Sequence, residues 1–286
     1  NGSNDVLVLL AEAFLQPGLE AVCSKYCFAV YPIASQATGA TCVSVAALGA
    51  EAAQPLGHDL AAMRAAITDQ TRLVFVANPN NPTGTWLGHD ELHEFIASLP
   101  DHVVVVVDEA YHEYSSLLDV PDATQWLQRY PRLVVTRTFS KAYGMAGIRV
   151  GYALSSPGVA GLLNRVRQPF NVNSLALIGA EAALKDQEFI AEAVRVNRAG
   201  LEDLRDVSAE LGLFTPPSAG NFVLTDFGRP AAPIYETLLQ QGIIVRPVAN
   251  YGLPNHLRIS IGTQRENSRL IAALRSMARD STFHEA

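Results

Sequence analysis

Val103-Val-Val-Val-Val107-Asp108-Glu109-Ala110-Tyr111 is a run of five valines that ends on two carboxylates. A strand with one face in water alternates apolar and polar residues. This run does not alternate, so both of its faces are expected to be covered. Leu73-Val-Phe-Val76 has the same character. Together they predict a central, mostly parallel sheet between helical layers. Further β-rich runs at Ala21–Ser24, Thr41–Leu48, Arg72–Ala77, Leu133–Thr138 and Val150–Ser155 alternate with helix-period segments such as His58–Ile67 and Asp90–Leu99. That order is the signature of an α/β sandwich.

The pattern changes at Ser174. From there to Arg205 neither proline nor a β-rich cluster intervenes, and apolar residues recur at three and four. The spacing predicts one long helix or two abutting ones. Strand candidates Asn221–Asp226 and Leu257–Ile261 follow, with helix patterns at Ala232–Gln241 and Arg265–Ala278. The expected fold is α/β: a three-layer α/β/α large domain over residues 1–180, and a small α+β domain over 181–286. The long helical stretch joins them, and each part is of ordinary domain size.

The composition narrows the classes. The chain has 286 residues, 49% of them hydrophobic, which is enough to bury a large core and a smaller one. The net charge is −7, charged residues make up 17%, and no basic run stands out, so nucleic acid is not an expected partner. No apolar stretch is long enough to cross a bilayer, so neither is a membrane. Cys23, Cys27 and Cys42 are too few and odd in number for a disulfide framework, and suit a reducing cytoplasm. They read as small buried apolar residues. His89 and His93 stand four apart but lack the His-Glu-x-x-His order, and read as the solvated face of a helix. No metal is expected.

Three segments carry chemistry, and each ends a β-rich run, where open α/β sheets bind their ligands. Ala77-Asn-Pro-Asn-Asn-Pro-Thr-Gly84 has two X-Pro steps and a glycine, which force a tight turn bearing short amide side chains. In Val107-Asp-Glu-Ala-Tyr111, a carboxylate leaving so apolar a strand must be paired or face a cationic ligand. In Thr136-Arg-Thr-Phe-Ser-Lys-Ala-Tyr-Gly-Met-Ala-Gly-Ile-Arg149, Lys141 follows a strand and a serine. A lysine amine whose pKa is lowered by burial or nearby positive charge can condense with a carbonyl cofactor. Hydroxyls and an arginine on the same loop suit a phosphate. Taken singly, the first two segments have ordinary structural readings.

Together, in this order and at these separations, the three segments resemble the fold-type I pyridoxal-phosphate (PLP) enzymes, the class I and II aminotransferases. Arg137-Thr-Phe-Ser-Lys-Ala-Tyr143, Gln168-Pro-Phe-Asn-Val-Asn-Ser174, Gly242-Ile-Ile-Val-Arg-Pro247 and Leu257-Arg-Ile-Ser-Ile-Gly262 narrow the likeness to the histidinol-phosphate branch of that family. The resemblance covers essentially the whole chain. It implies roughly 70–90 further residues ahead of Asn1, given the usual two-domain length.

The resemblance also implies roles. Lys141 would carry the cofactor and move the proton between substrate and cofactor. Asp108 would pair with the pyridinium nitrogen, and Asn81 and Tyr111 would bond the ring oxygen. Phe28, in Tyr26-Cys-Phe-Ala-Val-Tyr31, would stack on the ring. Backbone amides of Ser3 and Asn4 at a helix start, with Thr138, Ser140 and Arg149, would hold the phosphate. Here Gly2-Ser-Asn-Asp5 departs from the commoner Gly-Ser-Asp-Glu, a change of little weight where backbone amides do the binding. Arg258 and Arg246 would clamp the acidic groups of the substrates, histidinol phosphate and 2-oxoglutarate or glutamate. Family enzymes are cytoplasmic homodimers, in which a tyrosine of the neighbouring subunit reaches the phosphate. Three alternatives stay open on the same scaffold: an aromatic-amino-acid aminotransferase, a phospho-amino-acid decarboxylase, or a PLP-binding regulatory module without turnover.

Overall fold

A computed structural model describes residues 1–116 and 118–279. A six-stranded sheet forms first, from β1 (Glu20–Ser24), β2 (Thr41–Val45), β3 (Thr71–Ala77), β4 (Val104–Asp108), β5 (Leu133–Thr138) and β6 (Gly151–Ser155). Their spatial order is β2-β1-β3-β4-β5-β6. The first five run parallel and β6 is antiparallel to β5. The strands follow the sequence expectation within one or two residues, except that β2 stops at Val45 rather than Leu48.

Both faces of the sheet are covered, as the unbroken valines require. Side chains alternate along a strand, so Leu73, Phe75, Val104, Val106 and Val134 enter one core with α1 (Ser3–Phe14), α2 (Val30–Ala37) and α5 (Pro157–Val166). Val74, Val76, Val105, Val107, Leu133 and Val135 enter the other, against α3 (Leu60–Ala65), α4 (His89–Ala97) and Trp126. Neither α2 nor α5 stands out as a helix from sequence. Pro32 falls in the first turn of α2, where its missing N–H is no loss. Ser156 caps α5 ahead of Pro157, but Gly158 and Gly161 dilute its helical pattern.

Of the one-or-two alternative after Ser174, the structure takes two helices. α6 (Ser174–Lys185) ends at Asp186, whose side chain caps α7 (Gln187–Glu210) through Phe189 N. Leu204 and Val207 of α7 enter a separate core with Val223, Leu257 and Ile259. That core backs a three-stranded antiparallel sheet, β7 (Phe222–Asp226), β9 (His256–Ser260) and β8 (Arg246–Pro247), in the order β7-β9-β8. α8 (Ala232–Gln240) and α9 (Gln264–Arg279) pack on it through Ile234, Leu238, Leu270 and Leu274.

His89 and His93 are a partial correction to the sequence reading. His89 is solvated, but both rings pack on Trp126 and His93 Nε2 meets the Tyr130 hydroxyl at 3.1 Å. The indole lies too far along the chain for helix spacing to reveal it. Cys23 and Cys27 are buried and Cys42 is half-buried. Among the described residues, no helix is long and apolar enough to cross a membrane.

Candidate active site

The sheet reverses its strand order between β1 and β3, and a crevice opens there at the carboxyl ends of the strands. Three turns meet at it, and each has a local reason for its shape. In the turn after β3, Asn78 closes the loop by exchanging hydrogen bonds with Leu87, at 2.9 and 3.2 Å. Asn80 donates to Tyr26 O and to Thr83 Oγ1. Both X-Pro bonds are cis. With two of its three asparagines consumed in this way, the turn presents the third, Asn81, to the crevice.

Strand alternation then sorts the carboxylates. Asp108 follows Val104 and Val106 onto the face of α1 and α2, whereas Glu109 goes to the opposite face. Asp108 is buried and accepts the Tyr31 hydroxyl on Oδ2 at 2.8 Å and Thr136 Oγ1 on Oδ1 at 2.9 Å. Burial pushes its pKa up, and these two donors, with the nearby Lys141 charge, pull it back. Glu109 is held by Arg137 Nε and Nη2 at 2.9 and 2.7 Å and by the Ala123 amide, behind the sheet. The two adjacent acids therefore have separate surroundings.

The turn after β5 brings Lys141 to the crevice, its Nζ 5.4 Å from the centre of the Tyr111 ring. Burial, then the charges of Arg258 and Arg149, hold its ammonium below the ordinary lysine range, against the pull of Asp108. Tyr111 is itself buried, with its ring edge-on to Phe222 of β7. Its phenol pKa is pushed up chiefly by that burial.

The start of α1 also lines the crevice. Gly2 caps this helix with no side-chain bond, and among the described residues no side chain bonds the first-turn amides of Ser3 and Asn4. Arg149 sits in the left-handed region at φ 59° and reaches Ser140 Oγ at 3.2 Å and Ala146 O at 2.8 Å. Gly2 makes room for it, since a Cβ there would lie 2.6 Å from Arg149 Nη2. Thr138 Oγ1 accepts from the Ser140 amide at 3.1 Å.

One cavity of about 290 Å³ joins these groups. Ser3, Asn4, Thr138, Ser140 and Arg149 line it together with Asp108, Phe28, Asn81, Tyr111 and Lys141. Tyr31, which the sequence did not single out, lines it too. Arg258 does not line the cavity but flanks it. Its Nη1 donates to Asn81 Oδ1, its guanidinium lies over the Phe222 ring at 5.0 Å, and its buried Nε has no hydrogen-bond partner among the described residues. Arg246 pairs with Arg258 in the β8–β9 register, on the same face of the small sheet, and is exposed. Like charges directly opposite one another cost stability, so this placement favours an anionic ligand.

The cavity has hydrogen-bond donors, a buried carboxylate, and an amine of lowered pKa. A cofactor with a phosphate, a basic ring nitrogen and an aldehyde fits that set of groups. The uncapped helix start, with the Arg149 guanidinium brought close by the absence of a side chain at Gly2, is what such a phosphate needs. A larger groove, of about 670 Å³, lies between His112–Ser116 and α7. Its arginine nearest the sheet, Arg137, is already engaged by Glu109 and Asp122, and the groove gathers no comparable set of reactive groups.

Comparison with known proteins gives the same picture. The family described as Aminotransferase class I and II matches residues 1–274. Histidinol-phosphate aminotransferase 2 of Pseudomonas fluorescens is 57% identical over 277 residues, which span 97% of this chain and 73% of that protein. The crystal structure of histidinol-phosphate aminotransferase from Sinorhizobium meliloti, in complex with pyridoxal-5'-phosphate, superposes with a TM-score of 0.87 at 31% identity, covering 96% of this chain and 74% of that one. Aspartate aminotransferase from Thermus thermophilus with maleate gives a TM-score of 0.85 at 26% identity, over 97% and 74% of the two chains. The chain belongs to the class I and II aminotransferases.

Proposed function

We propose that this chain is a pyridoxal-phosphate-dependent histidinol-phosphate transaminase, moving an amino group from L-histidinol phosphate to 2-oxoglutarate to give imidazole acetol phosphate and L-glutamate. The observation that carries it is the pair of cross-strand arginines, Arg246 and Arg258, beside a cavity that already holds an amine, a carboxylate and a phosphate cradle. Two of the three proteins named above are histidinol-phosphate aminotransferases and support the choice of substrate.

Pyridoxal phosphate, when bound, supplies an aldehyde that takes up the amino group and a protonated ring that accepts electrons from the substrate Cα. The chain's residues supply the rest. Ser3 and Asn4 amides, Thr138, Ser140 and Arg149 fix the phosphate, while Phe28 covers the ring. Asp108 keeps the ring nitrogen protonated. Asn81 and Tyr111 bond the ring oxygen. Lys141 would anchor the cofactor and, as a free amine, would accept and return the proton moved from the substrate Cα. Its lowered pKa suits both tasks, because an amine must be unprotonated to attack or to accept. Arg258 grips the carboxylate or phosphate of the substrate with its planar fork, and Arg246 grips a second acidic group.

The active form is a cytoplasmic homodimer. Phe170, Leu175 and Ile178 are 96%, 76% and 68% exposed around the start of α6, an apolar surface that a second copy of the chain would cover. The unpaired thiols suit a reducing compartment. Steady-state rates with histidinol phosphate and with phenylalanine test the substrate. A clear preference for phenylalanine would sink the assignment.

A further inference from the structure

The Tyr31 hydroxyl has one hydrogen-bond acceptor, Asp108 Oδ2 at 2.8 Å, and that contact joins residues 77 positions apart. The ring is locked around it. It stacks on Phe75 of β3 with centroids 4.7 Å apart and an interplanar angle of 4°, and meets Phe28 edge-on at 5.9 Å and 89°. A single side chain thus touches both the carboxylate and the aromatic cover proposed for the cofactor ring. Tyr31 lies on α2, packed against the sheet face toward which alternation turns Asp108.

From this geometry we infer that Tyr31 is a positioning residue for the transamination: its hydroxyl keeps Asp108 ionised and oriented toward the cofactor's ring nitrogen. This rests on the pyridoxal-phosphate reading above. The chemistry is directional. Tyr31 donates to Oδ2 and Thr136 to Oδ1, so each carboxylate oxygen receives one hydrogen bond and keeps a lone pair for the ring N–H. A proton on Asp108 would make its oxygens poorer acceptors and weaken both bonds, so both favour the anion. The phenol remains a donor at working pH, since burial and the adjacent carboxylate oppose its ionisation. An ionised Asp108 keeps the ring nitrogen protonated, and a protonated ring draws electrons from the substrate more strongly. A tyrosine that merely filled the core would fix neither charge.

Tyr31→Phe removes the hydroxyl and keeps the stack on Phe75. In the cofactor-free protein, the carboxyl 13C signal of Asp108 should then titrate at higher pH than in the wild type. In the loaded protein, the 15N signal of the cofactor ring should move toward its unprotonated position, and the half-reaction with amino donor should slow roughly ten-fold with little change in KM. If the Asp108 titration and the ring 15N signal both stay in place, the inference is overturned, whatever happens to the rate. Should Tyr31→Phe fail to fold, replacing Tyr31 by 3-fluorotyrosine keeps the contacts and strengthens the donor. The Asp108 titration should then move to lower pH, and an unmoved one overturns the inference. The two readings fail separately: a wild-type protein that takes up no pyridoxal phosphate on Lys141 overturns the proposed function, while the Asp108 titration is read without cofactor.

Discussion

Arg258 donates from Nη1 to Asn81 Oδ1 at 2.5 Å, tying the small antiparallel sheet to the turn that ends β3. The bond uses one edge of the guanidinium and leaves Nε buried without a partner among the described residues. A buried N–H of that kind costs free energy until something accepts from it. A substrate carboxylate or phosphate would accept. Arg258→Lys keeps the charge but loses the fork, and should lower kcat/KM roughly 10- to 100-fold, mainly through KM for the acidic substrate. Steady-state kinetics with both substrates check it. An equal loss in cofactor affinity would mean that Arg258 serves the cofactor instead.

Lys141 makes stability depend on pH in a defined direction. In the unfolded chain a lysine keeps its proton to about pH 10.4. In the folded, cofactor-free protein, burial and the charges of Arg258 and Arg149 release it earlier. Between the two values the unfolded state binds more protons, so this residue's contribution to stability rises with pH through that window and is complete above the unfolded value. Lys141→Met should flatten the rise in urea-denaturation curves taken across alkaline pH. The same variant should form no borohydride-reducible adduct with pyridoxal phosphate and lose at least roughly 10²–10⁴-fold in turnover.

Gly151 allows the start of α1 to sit against β6. A Cβ there would collide with Ser3 N and stand 3.0 Å from both Gly2 C and Arg137 O. These are backbone atoms with no freedom to swing aside. Gly151→Ala should destabilise the fold by about 1–3 kcal/mol and weaken cofactor binding more than substrate binding. Thermal melts with and without pyridoxal phosphate test this, and a stabilisation by cofactor equal to the wild type's would contradict it.

Ile178 projects from α6 into solvent beside the exposed Leu175. Ile178→Asp should shift the protein from dimer to monomer in sedimentation velocity while leaving its circular dichroism intact. An unchanged sedimentation coefficient would place the self-association surface elsewhere.

The central strands were legible because a strand covered on both faces cannot alternate, and Val103–Val107 shows this in five letters. Asn81, Asp108 and Lys141 were legible as candidates because each leaves such a strand carrying a group that the interior could not hold unpaired. Tyr31 was not. It sits in an apolar hexapeptide where any aromatic reads as core, and its polar partner is 77 residues away. Helix α2 hid with it, being only eight residues long with a proline, Pro32, in its first turn. For the same reason the edge-on packing of His93 on Trp126 escaped helix periodicity, which reports neighbours along a helix and not between elements.

The adjacency of Asp108 and Glu109 has an evolutionary consequence. The first belongs to the cavity, while the second is bound to Arg137 on the far side of the sheet. Their partners Thr136 and Arg137 are likewise neighbours on β5, and Asp108 and Thr136 stand in register. Deleting one valine from β4 would exchange the destinations of the two acids, setting Asp108 against a guanidinium and delivering Glu109 to the cavity. A matching one-residue deletion in β5 would bring Thr136 and Arg137 back opposite their acids, but it would turn the whole set over and leave Asp108 behind the sheet. One-residue insertions and deletions in these two strands are therefore expected to be excluded even in pairs, because only a shift of two residues keeps each acid on its own face.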